Sequence, residues 1–205
     1  MSLTAEDAAR LQGCLVGGGV AVFPADTVYG VCCDPDSETA AQRLYELKGR
    51  PSERASAVMF FTLELALREL GELDDAERVA LERLLPGPVT LLLANRSRRF
   101  APACRLDRET LGLRVPRLPE RLDALRAVGR PLLQSSANRS GGPDARTLAE
   151  VPRELREGAD LVLDGGELPG VSSTVIDLRE LSEHGRWQVL REGALPVSAV
   201  TRALG

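Results

Sequence analysis

A handful of loops hold most of the side chains able to do chemistry. Lys48-Gly49-Arg50 follows a predicted helix, and Lys48 is the sole lysine among 26 Lys and Arg residues. Gln134-Ser135-Ser136-Ala137-Asn138-Arg139-Ser140 follows an apolar run directly. Gly165-Gly166 leads into Gly170-Val171-Ser172-Ser173-Thr174, and Arg191 stands at the end of a late strand. The turn Pro24–Gly30 carries Asp26, Thr27 and Tyr29, and Arg114 lies in GLRVP. An ammonium beside a guanidinium offers a point charge and a planar fork, which suits phosphate. The same cations at a helix C-terminus would also complement the helix dipole. Clustered hydroxyls and an amide suit multidentate anion recognition, and glycines let a ligand approach the backbone closely.

Several kinds of chemistry lack their parts. No G-x-x-x-x-G-K-[ST] phosphate loop occurs. His184 is the one histidine and lies in the turn-like SEHGR, which disfavours a His-dependent triad or a multi-His metal site. Cys14, Cys32, Cys33 and Cys104 form no C-x-x-C pair, and adjacent Cys32 and Cys33 are expected on opposite faces of a strand as small buried residues. What remains is a set that binds anions and positions reactants, so that proximity and charge stabilisation do the catalysis. Nucleotidyl or phosphoryl transfer is the class this fits. The arginine bias reads as compositional drift, so a surviving lysine marks a place where a compact ammonium matters.

These loops need a scaffold, and the hydrophobic pattern supplies one. Thr4-x-x-Asp7 predicts a capped helix to Val16, and Ser37 a helix to Leu47. Thr62 starts a helix to Leu70, and Asp74 or Asp75 another to Leu85. Helices are also expected over Pro119–Val128, Thr147–Arg156 and Pro196–Leu204. Strands are expected at Val20–Phe23, Val28–Cys33, Ala57–Phe61, Val89–Ala94 (apolar and central), Leu111–Val115, Leu132–Ser135, Leu161–Leu163, Thr174–Leu178 and Trp187–Leu190. Alternating strands and helices followed by hairpin-like strands predict one α/β domain over residues 1–205, built on a mixed sheet. The net charge of −4 makes a basic surface overall unexpected, so any anionic ligand must be met by a local cluster. No apolar run approaches the ~20 residues that span a bilayer. The acidic N-terminal stretch reads as a helix, not a signal peptide, so a cytoplasmic location is expected.

Seven stretches, PADTVYG, KGRP, LLPGPVTLLL, GLRVP, SSANRSGGP, DGG…GVSSTVID and VLREGA, resemble in order the signature blocks of YrdC-like threonylcarbamoyl-AMP synthases. The resemblance spans Leu3 to about Ala194. It implies an open, twisted, mixed sheet with helices packed on it and a concave, positively charged cleft. It implies that L-threonine, bicarbonate and ATP give threonylcarbamoyl-adenylate and pyrophosphate, with Mg²⁺ accompanying ATP and no dedicated protein cage. The product would pass to a transferase complex that modifies the tRNA adenosine beside the anticodon.

Carried over by position, Lys48, Arg50, Ser136, Asn138 and Arg191 would hold the nucleotide, with Arg54 and Thr110 as additions. Lys48 and Arg50 would carry the catalytic charge stabilisation. Thr27, Tyr29, Arg114 and Ser173 would face threonine, with Arg114 on its carboxylate, and Ser52–Ser56 would be a lid. The chain departs from the pattern at Ala25 (usually Thr), Met59 (a His in some members), Gln134 (usually small) and Ser172 (often Glu). The absence of an extension after the last block matches the short, single-domain type. Two other readings stand beside the synthase: an RNA-binding relative without activity, and a carbamoyl-adenylate enzyme with another acceptor.

Overall fold

Nine strands form one mixed sheet among the residues that the computed structural model describes (2–49, 55–71 and 73–205). They are β1 (Ala21–Pro24), β2 (Tyr29–Cys33), β3 (Ala57–Met59), β4 (Val89–Ala94), β5 (Thr110–Arg114), β6 (Leu132–Ser136), β7 (Leu161–Val162), β8 (Thr174–Asp177) and β9 (Gln188–Arg191). Their order across the sheet is β7-β1-β2-β6-β3-β5-β4-β8-β9. The pairs β1·β7, β3·β5 and β4·β8 are parallel and the rest antiparallel, so the predicted mixed sheet with a late hairpin is present.

The helices form where caps and apolar spacing coincide. They are α1 (Ala5–Val16), α2 (Glu38–Lys48), α3 (Leu63–Leu70), α4 (Asp75–Leu84), α5 (Ala101–Cys104), α6 (Arg153–Gly158), α7 (Leu181–His184) and α8 (Val197–Leu204). In α1 the Thr4 side chain accepts from Asp7 N, and the Asp7 carboxylate accepts from Thr4 N, closing a capping box with Asp in place of the usual Glu. Ala8, Leu11 and Leu15 form its buried stripe. Ser37 caps α2, which ends on Gly49 at φ 56°, a left-handed conformation that glycine adopts without a side-chain clash.

Two cores flank the sheet. On one side Val31, Cys33, Val58, Leu91, Leu113 and Leu133 pack with residues of α2, α3, α4 and α8. On the other, Cys32, Met59, Leu132 and β1 pack with α1 and with the 3₁₀ turn Glu120–Ala127. Cys32 and Cys33 therefore enter opposite cores, as their adjacency predicts. Burial drives both thiol pKa values up, that of Cys33 to about 12, so neither is a ready nucleophile. The second core covers the β7-β1-β2-β6 end. Along β4, residues alternate buried and half-buried, and Thr90 and Leu92 lie on the less covered side.

Strand β4 is paired on both edges, but among the described residues helices cover only one of its faces, and the other is where the site forms. The segment predicted as a helix over Pro119–Val128 is a 3₁₀ turn. Thr147–Arg156 is not continuous either. A short 3₁₀ turn at Leu148–Glu150 ends before Pro152, which then starts α6. Proline has no N–H and disfavours helical geometry in the residue before it. His184 ends the short helix α7 instead of lying in a plain turn.

Candidate functional site

A cavity of about 210 Å³ opens on the uncovered face, lined by Thr90, Arg114, Gln134, Ser136, Asp144, Ser172, Ser173 and Arg191, among others. It lies where the ends of β5 and β6 meet the loop before β8 and the end of β9. Strand register sets its floor. Gly112 pairs with Ala57 on one side and Leu92 on the other, two residues before Arg114. Alternation then places Arg114 and Gly112 on the same face.

Arg114 is the centre of this floor, and only 4% of it is exposed. Its Nη2 donates to Asp26 Oδ1 at 2.8 Å and to Thr27 Oγ1 at 3.2 Å, and Nη1 donates to Gln134 Oε1 at 3.4 Å. The second oxygen of Asp26 accepts from Arg117 N at 3.0 Å. Such a buried pair holds geometry more than it adds stability, because desolvation consumes much of the Coulomb gain. Burial pulls the Arg114 pKa down while Asp26 pulls it back up, and a guanidinium stays charged. Arg114 Nε is buried with no hydrogen-bond partner among the described residues. Gln134, a departure from the family pattern, thus has a place on the guanidinium.

Lys48 organises the next wall. It is 1% exposed, and its ammonium donates to Ser136 O, to Asn138 O at 2.9 Å and to Asn138 Oδ1 at 3.1 Å. Ser140 N donates to Lys48 O, so the two segments are stitched twice. Ser136 Oγ donates to Asn138 Oδ1 at 2.8 Å, and Asn138 Nδ2 donates to Gly142 O and Asp144 Oδ1. Isolated lysine therefore has a structural meaning: a point charge with several donors gathers three oxygens of one loop.

The third wall is the loop before β8. Ser173 Oγ and Thr90 Oγ1 share a hydrogen bond of 2.8 Å, and Ser172 Oγ donates to Asp144 Oδ2. Arg191 Nη2 donates to Ser173 O at 2.7 Å. Buried Thr174 accepts from Gly193 N and Leu195 N and donates to Leu195 O, pinning the turn after β9. A Cβ on Gly193 would stand 2.2 Å from Ser172 O, so only glycine lets that turn close against the loop.

The structure gathers Arg114, Ser136, Ser173 and Arg191 on the cavity, with Thr27 on Arg114 and with Lys48 and Asn138 behind Ser136. Two predicted residues lie elsewhere. Tyr29 is fully buried, and its hydroxyl donates toward Asp164 Oδ1 and Gly166 O and accepts from Gly165 N. Burial and the Asp164 bond push that phenol up to about 12, so it braces the 164–166 turn and is not among the groups lining the cavity. Thr110, at the far end of β5 from Arg114, accepts from Arg179 and lines a separate depression. Arg50 and Arg54 lie outside the described residues, as does most of the proposed lid. Asp144, Thr90 and the bracing role of Gln134 were not legible, because only the folded register brings them to Ser172, Ser173 and Arg114.

Larger depressions, of about 610 and 430 Å³, lie beside β8, β9 and Thr110. Among the described residues the first has no Ser or Thr in its lining and the second only Thr110, so neither combines guanidinium groups with clustered hydroxyls as the smaller cavity does.

A family model, Sua5/YciO/YrdC, described as "Telomere recombination", matches residues 14–193. The chain belongs to this family. A threonylcarbamoyl-AMP synthase of Pyrococcus abyssi is 33% identical over 92% of the chain, and one of Klebsiella pneumoniae is 35% identical over 78%. The chain spans 54% of the first relative's length and 85% of the second's. A crystal structure of P. abyssi Sua5 complexed with L-threonine matches all of the chain and 59% of its own, with a TM-score of 0.85 at 28% identity. E. coli YciO matches with a TM-score of 0.79 at 26% identity, over 96% of this chain and 94% of that one. The open mixed sheet is thus the family's sheet.

Proposed function

We propose that this Sua5/YciO/YrdC member is a nucleotidyltransferase that makes L-threonylcarbamoyl-adenylate from L-threonine, bicarbonate and ATP, releasing pyrophosphate. The carrying observation is buried Arg114, which stands among hydroxyls on the floor of a small cavity in a fold shared with a relative that binds L-threonine. A fixed guanidinium suits a carboxylate, and Thr27 and Ser173 supply hydroxyls around it. Ser136, Asn138 and Arg191 face the nucleotide, with Lys48 holding the Ser136–Asn138 loop in shape.

The threonine amine adds to bicarbonate with loss of water, and a carbamate oxygen then attacks the α-phosphorus as pyrophosphate leaves. No protein nucleophile is required. The chain's part is to align the reactants and to spread negative charge over Arg191 and the donors of the Ser136–Asn138 loop. Mg²⁺ would travel with ATP and neutralise phosphate charge. The described residues hold no group of three His, Cys, Asp or Glu for a metal, and magnesium needs few protein ligands when phosphates supply the rest. The product would pass to a tRNA-modifying transferase in the cytoplasm. No helix among the described residues is long and apolar enough to cross a membrane.

Pyrophosphate release from ATP tests the assignment. It should need both L-threonine and bicarbonate. Release independent of threonine, or none at all with salt-sensitive tRNA binding instead, would move the chain to another acceptor or to RNA binding.

A further inference from the structure

The cavity contains one carboxylate that the proposed chemistry has not used. Asp144 is half-buried on its rim, where it joins two walls: Oδ1 accepts from Asn138 Nδ2 at 3.2 Å, and Oδ2 accepts from Ser172 Oγ. It is the one acidic side chain among the described residues lining the cavity, against Arg114 and Arg191. Asp26 lies beneath, already bound to Arg114. A cation and an anion, Arg114 and Asp144, thus line one small cavity, an arrangement that suits a ligand charged at both ends. The hydroxyls of Thr90, Ser172 and Ser173 lie on the wall that Asp144 joins.

We propose that Asp144 receives the α-ammonium of the amino acid whose carboxylate rests on Arg114, so that the site selects a zwitterion and not merely a carboxylate. This deepens the synthase reading and rests on it. Both Asp144 bonds to protein come from neutral donors, a hydroxyl and an amide, and an ammonium is the stronger partner for a carboxylate. Asp144 and Arg191 lie close enough for their charges to act on Arg114, which places the charged groups in one electrostatic unit. With the ammonium at Asp144, the amine also sits beside the Ser136–Asn138 loop, on the nucleotide side of the cavity. The amine must lose a proton before it adds to bicarbonate, and a carboxylate in contact is positioned to receive it.

Calorimetry without ATP tests this, using two ligands on the intact chain: L-threonine and 3-hydroxybutanoate, which keeps the carboxylate and hydroxyl but lacks the amine. Asp144→Asn keeps the shape: its amide oxygen can accept from Asn138 Nδ2, and the Ser172 hydroxyl can turn to accept from the new NH2. It should weaken threonine by about tenfold to a hundredfold, the range of a charged hydrogen bond, and leave 3-hydroxybutanoate within about twofold. Ser172→Ala, which loosens Asp144 without removing its charge, should weaken threonine far less. Equal weakening of both ligands by Asp144→Asn would make Asp144 only a brace for the loop and overturn the assignment. So would unchanged threonine binding accompanied by weaker binding of magnesium-ATP. If wild-type protein binds no threonine, the synthase reading itself fails, which is a distinct result.

Discussion

Replacing Lys48 by methionine tests whether the lone lysine acts by shaping the site. Methionine has similar length and no charge. The change removes donors from Ser136 O, Asn138 O and Asn138 Oδ1. Hydrogen bonds from a charged donor contribute about 1.5–3 kcal/mol each, and each orphaned buried acceptor costs about 1–3 kcal/mol. Relief from burying an ammonium offsets several kcal/mol of that loss. The expected net loss is about 2–4 kcal/mol. For a chain of this size that corresponds to a fall in Tm of about 5–15 °C. Calorimetric melting measures it, and hydrogen exchange should show faster exchange at Ser136–Gly142 than in wild type. Lys48→Arg should not restore the loop, because a planar fork cannot gather three oxygens as a compact ammonium does. A Tm within about 2 °C of wild type, with unchanged exchange in that loop, would refute the organising role. Lys48 would then act on the nucleotide alone.

Other expectations follow from the same geometry. Tyr29→Phe should lower stability by about 1–3 kcal/mol in denaturant melts through the lost bonds to the 164–166 turn, with KM for L-threonine within about twofold; a tenfold rise in KM would place the phenol at the substrate. Asp26→Asn leaves the buried Arg114 without its anion, and should cost about 3–5 kcal/mol in urea unfolding while weakening threonine in calorimetry. Gly193→Ala should push the Ser172–Ser173 loop outward and lower threonine affinity more than Tm, since the clash is with that loop's backbone. Asp160 has a depressed pKa, chiefly through its hydrogen bond from Arg43 and then from Val20 N. Its contribution is thus present above the ordinary Asp range and lost as pH falls through the lower folded value. The Asp160→Asn penalty, about 0.5 kcal/mol for so exposed a pair, should shrink in melts below about pH 4.

Much of this molecule can be read from its chain, because local rules and the fold agree. Thr4, Ser37, Thr62 and Asp74 each cap the helix they precede, and apolar alternation marks the strands. Where reading failed, a proline or a longer-range contact decided. Pro152 divides a segment whose hydrophobic spacing alone suits one helix. Tyr29 looked like a site residue because it follows Asp26 and Thr27, yet its hydroxyl is engaged by a turn more than a hundred residues away. Thr110 shares a strand with Arg114 but sits at the opposite end and lines another depression. Asp144 is one acid among many in sequence. Only the meeting of the 138–144 loop with Ser172 gives it a position.

The proposed reaction joins threonine, bicarbonate and an adenylate in one product. Mass spectrometry of a reaction containing ATP, L-threonine and ¹³C-bicarbonate measures it directly. Wild type should form threonylcarbamoyl-adenylate carrying one ¹³C, and Arg114→Ala should lose it. Absence of that species from a folded, threonine-binding wild-type protein, or undiminished formation in Arg114→Ala, would contradict the proposal.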